Sequence, residues 1–480
     1  MTAPRIIIVG AGITGLSVAV TLREEAQRLD AQLDLVVLER NRLTGGHART
    51  VAADGFVVEA GPNGFLNREP ETLALIELLQ LDARVIVANP AAARRFIVRG
   101  GRLCRVPDSP GSLLTTPALS WRGKVRLLAE PWASGPPGSD ETVYAFAARR
   151  IGAEAADVLV DTAVSGISAG DSRSLSVRSQ FPIMVEMERD HGSLFRAMFA
   201  RRRTGLGPSR LLSFDEGMGV LPRAMTSRLG GSVITGASVR AVEHGPGTSP
   251  ESARIGAPTW RLRMDDGGWL EGDHLVFATP AHVTAGLVRS LDPVLARSLS
   301  DLSYAGLSVV ALGYRVQDMP RPLDGYGYLV TRREKLATLG VVWESSLFAG
   351  RAPEGHVLVR AMMGGARTPD LVERSDDECM AIARAELGQV LGVTAQPAHA
   401  SVFRWPQAIA QYTVGHESRL ERVRGLAGLH PGLHVCGTSY DGVSFNHAVK
   451  SGRAMARALA TTLWDRSGAS TEREMQAALA

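Results

Sequence analysis

The stretch Ile6-Ile7-Ile8-Val9-Gly10-Ala11-Gly12-Ile13-Thr14-Gly15 decides how this chain folds. A short apolar run meets a glycine turn, and a helical pattern continues from about Thr14 to Leu29. A second apolar run, Leu35-Val36-Val37-Leu38, completes a βαβ unit. Both runs are continuously apolar, which suits a parallel sheet covered on both faces. In the turn, Gly10 permits the tight bend, Gly12 lets backbone approach a pyrophosphate and Gly15 lets helix pack on strand; Ala11, Ile13 and Thr14 complete the loop. The phosphates then meet the unpaired N–H groups of a helix N-terminus. Glu39 ends the second run, where a carboxylate accepts from both ribose hydroxyls of an adenosine and repels a 2′-phosphate. The pattern predicts dinucleotide binding.

Working outward, Arg40-Asn41-Arg42-Leu43-Thr44-Gly45-Gly46-His47-Ala48-Arg49-Thr50 separates FAD from NAD. A Gly45-Gly46 pair after the ribose acid is typical of flavoproteins: it lets a second loop lie against the pyrophosphate, to which Arg49 can add charge. The whole chain has 480 residues and 51.2 kDa, room for two or three domains. An apolar fraction of 45%, a charged fraction of 21% and a mean hydropathy of +0.02 exclude disordered and polytopic membrane classes. The net charge of +4 rests almost wholly on arginine, for the lysines are only Lys124, Lys335 and Lys450. Runs such as Arg201-Arg202-Arg203, without interleaved aromatics, therefore do not indicate nucleic acid as a partner. Cys104, Cys379 and Cys436 are too scattered for a disulfide framework or a zinc site, which points to a reducing compartment. With a strand starting near Arg5 and no long apolar stretch, neither a cleaved signal nor a membrane span is expected.

From about Pro90 to Gly207 the pattern turns helical between proline and glycine breaks, with windows at Glu141–Arg150, Ala153–Ala163 and Ser193–Arg203. Short β-type runs return over 232–283, where Asp265-Asp266-Gly267-Gly268 signals a hairpin. Strands at Leu307–Tyr314, Gly325–Val330 and His356–Met363 and a helix at Ser375–Leu391 indicate a second sheet-based domain. A last helix is expected from about His447 to Leu463.

Further motifs lie in every predicted region: Phe56-Val57-Val58-Glu59-Ala60-Gly61-Pro62-Asn63-Gly64-Phe65-Leu66, Ser165-Gly166-Ile167-Ser168-Ala169-Gly170-Asp171, Ser213-Phe214-Asp215-Glu216-Gly217-Met218, Arg404-Trp405-Pro406-Gln407-Ala408-Ile409 and Gly437–Ser444. From about residue 5 to 462 the chain resembles the flavin-containing amine oxidase superfamily and, within it, the protoporphyrinogen oxidase family, above all its myxobacterial form. The resemblance implies FAD and an α/β fold: a Rossmann-like nucleotide domain of the p-hydroxybenzoate-hydroxylase type, a mixed-sheet substrate domain and a helical membrane-binding insertion. The corresponding boundaries are 1–89, 210–288 and 426–466 for FAD, 90–209 for the insertion, 289–425 for substrate and 467–480 for a flexible tail.

Carried over by position, the resemblance implies that Gly10–Gly15, Glu39, Arg40, Gly45, Gly46, Gly61, Pro62, Asn63, Gly64 and Gly437 hold FAD, with Val239 at the adenine and Trp405, Val443, Ser444 and Phe445 beside the flavin ring. It implies Arg95 at a porphyrinogen propionate, with Phe96, Gly166, Tyr326, Leu329 and Met362 lining the pocket. Ser444 and Thr438 depart from the usual glycine and asparagine of the flavin loop, and His47 stands where it can reach a propionate or the flavin. The implied reaction is oxidation of protoporphyrinogen IX to protoporphyrin IX in three two-electron steps, O2 reoxidising FAD with release of H2O2 and imine–enamine tautomerisation spreading the unsaturation. No catalytic side chain is singled out, because the cofactor carries the difficult chemistry. A peripheral attachment to the cytoplasmic side of the inner membrane, product hand-over to a ferrochelatase and a homodimer belong to the same expectation. Coproporphyrinogen III oxidation, amine oxidation and FAD binding without catalysis stay open. Against amine oxidation, Leu302–Tyr314 contains no lysine for the flavin N5 water.

Overall fold

The computed structural model describes residues 3–136, 138–202, 209–246 and 258–464. A five-stranded parallel sheet has the order Val233–Thr235, Asp34–Glu39, Arg5–Val9, His274–Phe277, Leu433–Val435. The helix Ile13–Arg28 crosses between the first two strands of the chain, as the glycine turn predicts. It lies beside the helix Phe445–Trp464, and Gly452 permits the approach, because a Cβ there would sit 2.4 Å from the Thr14 carbonyl oxygen. Leu16, Val20, Met225, Val449 and Leu459 fill this face of the sheet. On the other face, Trp260, Leu275 and Leu299 pack under an antiparallel sheet of Val239–Pro246, Pro258–Met264 and Trp269–Gly272. The expected hairpin joins its last two strands, with Gly267 at φ +87° and the Met264 N–H donating to the Gly268 carbonyl at 2.9 Å.

A seven-stranded mixed sheet follows the order His399–Ala410, Tyr304–Arg315, His356–Gly364, Thr338–Val342, Gly327–Val330, Arg95–Arg99, Arg102–Arg105. The helix Asp376–Leu391 covers one face with Cys379, Ala383 and Leu387 against Val310, Tyr328 and Met363. Ser375 caps that helix and Glu378 returns the bond, a reciprocal N-terminal box. The last two strands of the sheet fall inside the stretch expected to be helical. Phe96-Ile97-Val98 is a short, largely β-branched run, and Gly100 and Gly101 turn it back at φ +60° and +67°. Its parallel partner, Gly327–Val330, lies far along the chain, so local pattern alone does not place the hairpin in this sheet.

The helical region contains Val143–Ile151, a continuous helical run over 153–168 with a π turn at Ala156–Val160, Pro182–His191 and Leu194–Arg202. The expected window ending at Ala163 thus runs on to Ser168, which makes Gly166 a helical residue. Buried charge ties the region together. Arg150, 1% exposed, donates to the carboxylates of Glu130 and Glu188, and Glu130, fully buried, also accepts from Ser193 Oγ at 2.5 Å and the Leu194 N–H at 2.9 Å. The three cysteines are free and buried. Among the described residues no helix is long and apolar enough to cross a membrane. Arg203 and the tail 467–480 lie outside the described residues.

Candidate flavin and substrate site

The nucleotide end of the site forms at the carboxyl edge of the parallel sheet. Gly10 adopts φ +104°, and a Cβ at Gly15 would stand 1.9 Å from the Gly10 carbonyl oxygen, so the protein itself demands glycine at both places. Gly12 differs: a Cβ there would meet no atom within 4 Å. That open space lies before a helix N-terminus without a side-chain cap. The Gly45 N–H donates to the Ala11 carbonyl at 2.8 Å, bringing the second glycine loop alongside, with Gly45 and Gly46 at φ +103° and +59°. Glu39 is buried, and its two carboxylate oxygens accept from the Ala11 N–H at 3.0 Å and from the Asn41 N–H and Nδ2 at 2.9 and 2.7 Å. Arg40 beside it is exposed. The Ala237 N–H bonds to the Glu39 carbonyl at 2.9 Å, setting the turn that leads into Val239 next to the acid. An anion cradle and an oriented carboxylate together fit the ADP half of FAD.

At the other end, the Glu59–Gly64 loop is compressed: a Cβ at Gly61 would lie 2.2 Å from the His47 carbonyl oxygen, and one at Gly64 2.5 Å from that of Leu212. Pro62 and Asn63 are carried between them. Trp405 Nε1 donates to the Ala60 carbonyl at 2.7 Å, and its ring meets the His47 ring edge-on at 4.6 Å. The His47 pKa is lowered, by desolvation first and then by His282, although its side chain is exposed. The last helix begins at Phe445, two residues before the expected His447. Ser444 explains the early start: its Oγ accepts from the His447 N–H at 3.1 Å and bends back over the first turn. Phe445 stacks on Phe65 at 5.7 Å, while Val443 stays partly exposed ahead of it. Tyr412, which sequence reasoning missed, closes the Gly437–Gly442 loop by accepting from the Gly442 N–H at 2.7 Å and donating to the Thr438 carbonyl at 2.9 Å. Ser451 anchors the same loop through the Gly437 N–H at 2.8 Å.

The candidate substrate wall is the face of the seven-stranded sheet turned away from the helix Asp376–Leu391. Tyr326 and Met362 pack there with Val342 and Phe348. Leu329 lies against Gly166, where a Cβ would sit 2.5 Å from its Cδ2. The Arg95 guanidinium stands 5.3 Å from the Tyr326 ring centroid and makes no ion pair among the described residues, whereas Arg94 pairs with Asp324 at 2.5 Å. Phe96 is not brought into this group. Neighbouring strand side chains alternate, so Phe96 turns to the opposite face and packs on Trp343 with ring centroids 5.6 Å apart. Burial, then the nearby Glu344, pushes the Tyr326 phenol above its ordinary value and keeps it protonated. Glu344 and Arg360, buried beneath the wall, were not signalled by any motif.

A glycine-lined dinucleotide cradle and an apolar wall edged by Arg95 are parts that an FAD-dependent oxidoreductase needs. The family described as flavin containing amine oxidoreductase matches residues 13–460, and the chain belongs to it. A protoporphyrinogen oxidase of Bos taurus is 33% identical over 494 residues, covering 95% of this chain and 98% of the relative. A coproporphyrinogen III oxidase of Bacillus subtilis (strain 168) is 27% identical over 467 residues, covering 94% and 96%. Among solved structures, a candidate protoporphyrinogen oxidase from Exiguobacterium sp. 255-15 shares the fold with a TM-score of 0.83 at 24% identity, over 96% of this chain and 100% of that one. Cyclohexylamine oxidase from Brevibacterium oxydans IH-35A shares it with a TM-score of 0.70 at 16% identity, over 96% and 100%.

Proposed function

We propose that this chain oxidises a porphyrinogen in haem synthesis, protoporphyrinogen IX to protoporphyrin IX, with O2 as acceptor. The observation that carries the reading is Arg95: an arginine without an ion-pair partner among the described residues, beside Tyr326 at an apolar wall. The names of the relatives support it. Bound FAD would take hydride from a methylene bridge, a departure the flanking pyrroles assist, so the protein needs no strong nucleophile. The chain's own residues bind and orient. Arg95 offers a fork for a carboxylate, Tyr326, Leu329 and Met362 hold the macrocycle, and Gly166 lets Leu329 close on it. Comparing turnover of protoporphyrinogen IX and coproporphyrinogen III by porphyrin fluorescence, with O2 uptake followed in parallel, tests the proposal. Faster protoporphyrinogen turnover is expected; preference for the other substrate would reassign it, and no turnover of either would overturn the reading.

Arg95→Ala should lower kcat/KM by roughly ten- to 150-fold, the value of a charge-assisted bond in a pocket the substrate dries. The contact is remote from the reacting carbon and is lost equally from ground and transition states, so KM should rise more than kcat falls. Lysine should rescue only partly, keeping charge without the fork. Near-normal kinetics with flavin bound would return Arg95 to the solvated surface and shift attention to Arg102.

The same proposal includes peripheral membrane attachment through the helical region. Trp121, Val125 and Leu128 lie on one stripe of the helix Trp121–Leu128, Trp121 is 69% exposed, and the following Trp132 is 81% exposed. Such a stripe inserts into a bilayer interface without spanning it. Wild-type protein should float with anionic vesicles and resist high salt, and Trp121→Glu combined with Trp132→Glu should cut the bound fraction at least about tenfold. Equal flotation of the two proteins would exclude this stripe.

A further inference from the structure

The Glu59–Gly64 loop carries the Ala60 carbonyl that Trp405 engages and the Asn63 amide beside Tyr326, and two buried charged side chains hold it in place. Arg360 Nη1 donates to the carbonyls of Glu59 at 2.7 Å and Gly61 at 2.8 Å, and its Nε donates to Glu344 Oε1 at 2.5 Å. Glu344 accepts in turn from Asn63 Nδ2, at 3.2 and 3.4 Å to its two oxygens. Glu344 is 1% and Arg360 2% exposed. A buried ion pair of this kind is not needed for packing, since apolar side chains of similar size hold a core at least as well.

Its consequence is directional. A carboxylate only accepts hydrogen bonds, and an amide has one donating and one accepting end of nearly equal shape. Glu344 therefore draws Nδ2 toward itself and turns Oδ1 the other way, on the side of Tyr326, whose phenol is hydrogen-bonded to the amide, and the two lone pairs of Oδ1 leave it able to accept one bond more. Arg360 Nε donates to the same carboxylate and holds it facing Asn63. Every pyrrole nitrogen of a porphyrinogen carries a hydrogen and donates, so an amide presented the other way round would set donor against donor.

Resting on the porphyrinogen reading above, we propose that Glu344 and Arg360 are positioning residues that present the Asn63 carbonyl oxygen to a pyrrole N–H of the substrate. In Glu344→Gln the neighbour of Asn63 can donate as well as accept, and the amide loses its fixed direction. The variant should keep FAD at one per chain by absorbance, raise KM roughly tenfold and change kcat less than about twofold. Asn63→Ala should raise KM to the same extent, and the two substitutions together should add nothing further. Because Glu344→Gln leaves Arg360 buried without its partner, Glu344→Gln with Arg360→Met serves as the control for folding: it should melt near the wild-type temperature yet keep the raised KM. Recovery of KM along with melting temperature in that pair, or additive effects of Asn63→Ala and Glu344→Gln, would overturn the role. Failure of wild-type protein to turn over any porphyrinogen would overturn the reaction and this role with it, which the variant kinetics distinguish from failure of the role alone.

Discussion

Gly12→Leu gives a folded, colourless protein. At φ −72° and ψ 179° the backbone of Gly12 suits any residue, and a Cβ there would meet no atom of the described residues within 4 Å. In the proposed cradle the pyrophosphate would meet the first helical turn there, so the leucine would displace charge-assisted hydrogen bonds worth about 1.5–3 kcal/mol each. FAD affinity should fall at least about a thousandfold, while apoprotein melting stays within a few degrees of wild-type apoprotein. Gly15→Ala reverses the pattern: its Cβ would stand 1.9 Å from the Gly10 carbonyl oxygen, and the strand–helix junction must open before any cofactor is involved. Poor yield or a lowered melting temperature is expected there. Flavin absorbance, titration of apoprotein with FAD and thermal melting separate the two, and full flavin retention in Gly12→Leu would remove the cradle from this loop.

Arg150→Ala should destabilise the helical region by about 3–5 kcal/mol, because it leaves the fully buried Glu130 without its cation. A fall in melting temperature of about 10 °C is the expected readout. Burial pushes the Glu130 carboxyl up, but bonds from Ser193, Arg150 and the Leu194 and Phe195 N–H groups outweigh it and hold the group below its ordinary range. Its contribution is therefore present above the ordinary glutamate value and is lost as pH falls through the lower folded value. Without Arg150 burial gains ground, protonation comes at higher pH, and the deficit between variant and wild type should shrink on acidification from pH 7 toward 4. A deficit independent of pH would assign the loss to packing instead.

The sequence by itself determined everything that depends on short-range pattern. The apolar runs flanking Gly10–Gly15 define a βαβ unit and, with Glu39 and Gly45-Gly46, the cofactor. The Asp265–Gly268 hairpin and the Ser375–Leu391 helix follow from turn and cap chemistry that neighbouring residues settle among themselves. The tertiary structure decided what depends on partners distant in the chain. Arg95–Arg105 became part of the seven-stranded sheet because Gly327–Val330 supplies a parallel edge, and that pairing fixed Arg95 toward Tyr326 and Phe96 away from it. Alternation along a strand is legible once the strand is known; which face is the pocket is not. Ser444 departs from the usual glycine of its loop, and only the helix beginning at Phe445 shows its hydroxyl serving as a cap. Tyr412, Glu344 and Arg360 belong to no motif, since hydrogen bonds and buried ion pairs act across space between residues far apart in sequence, and only the closed fold brings them within 3 Å of their partners.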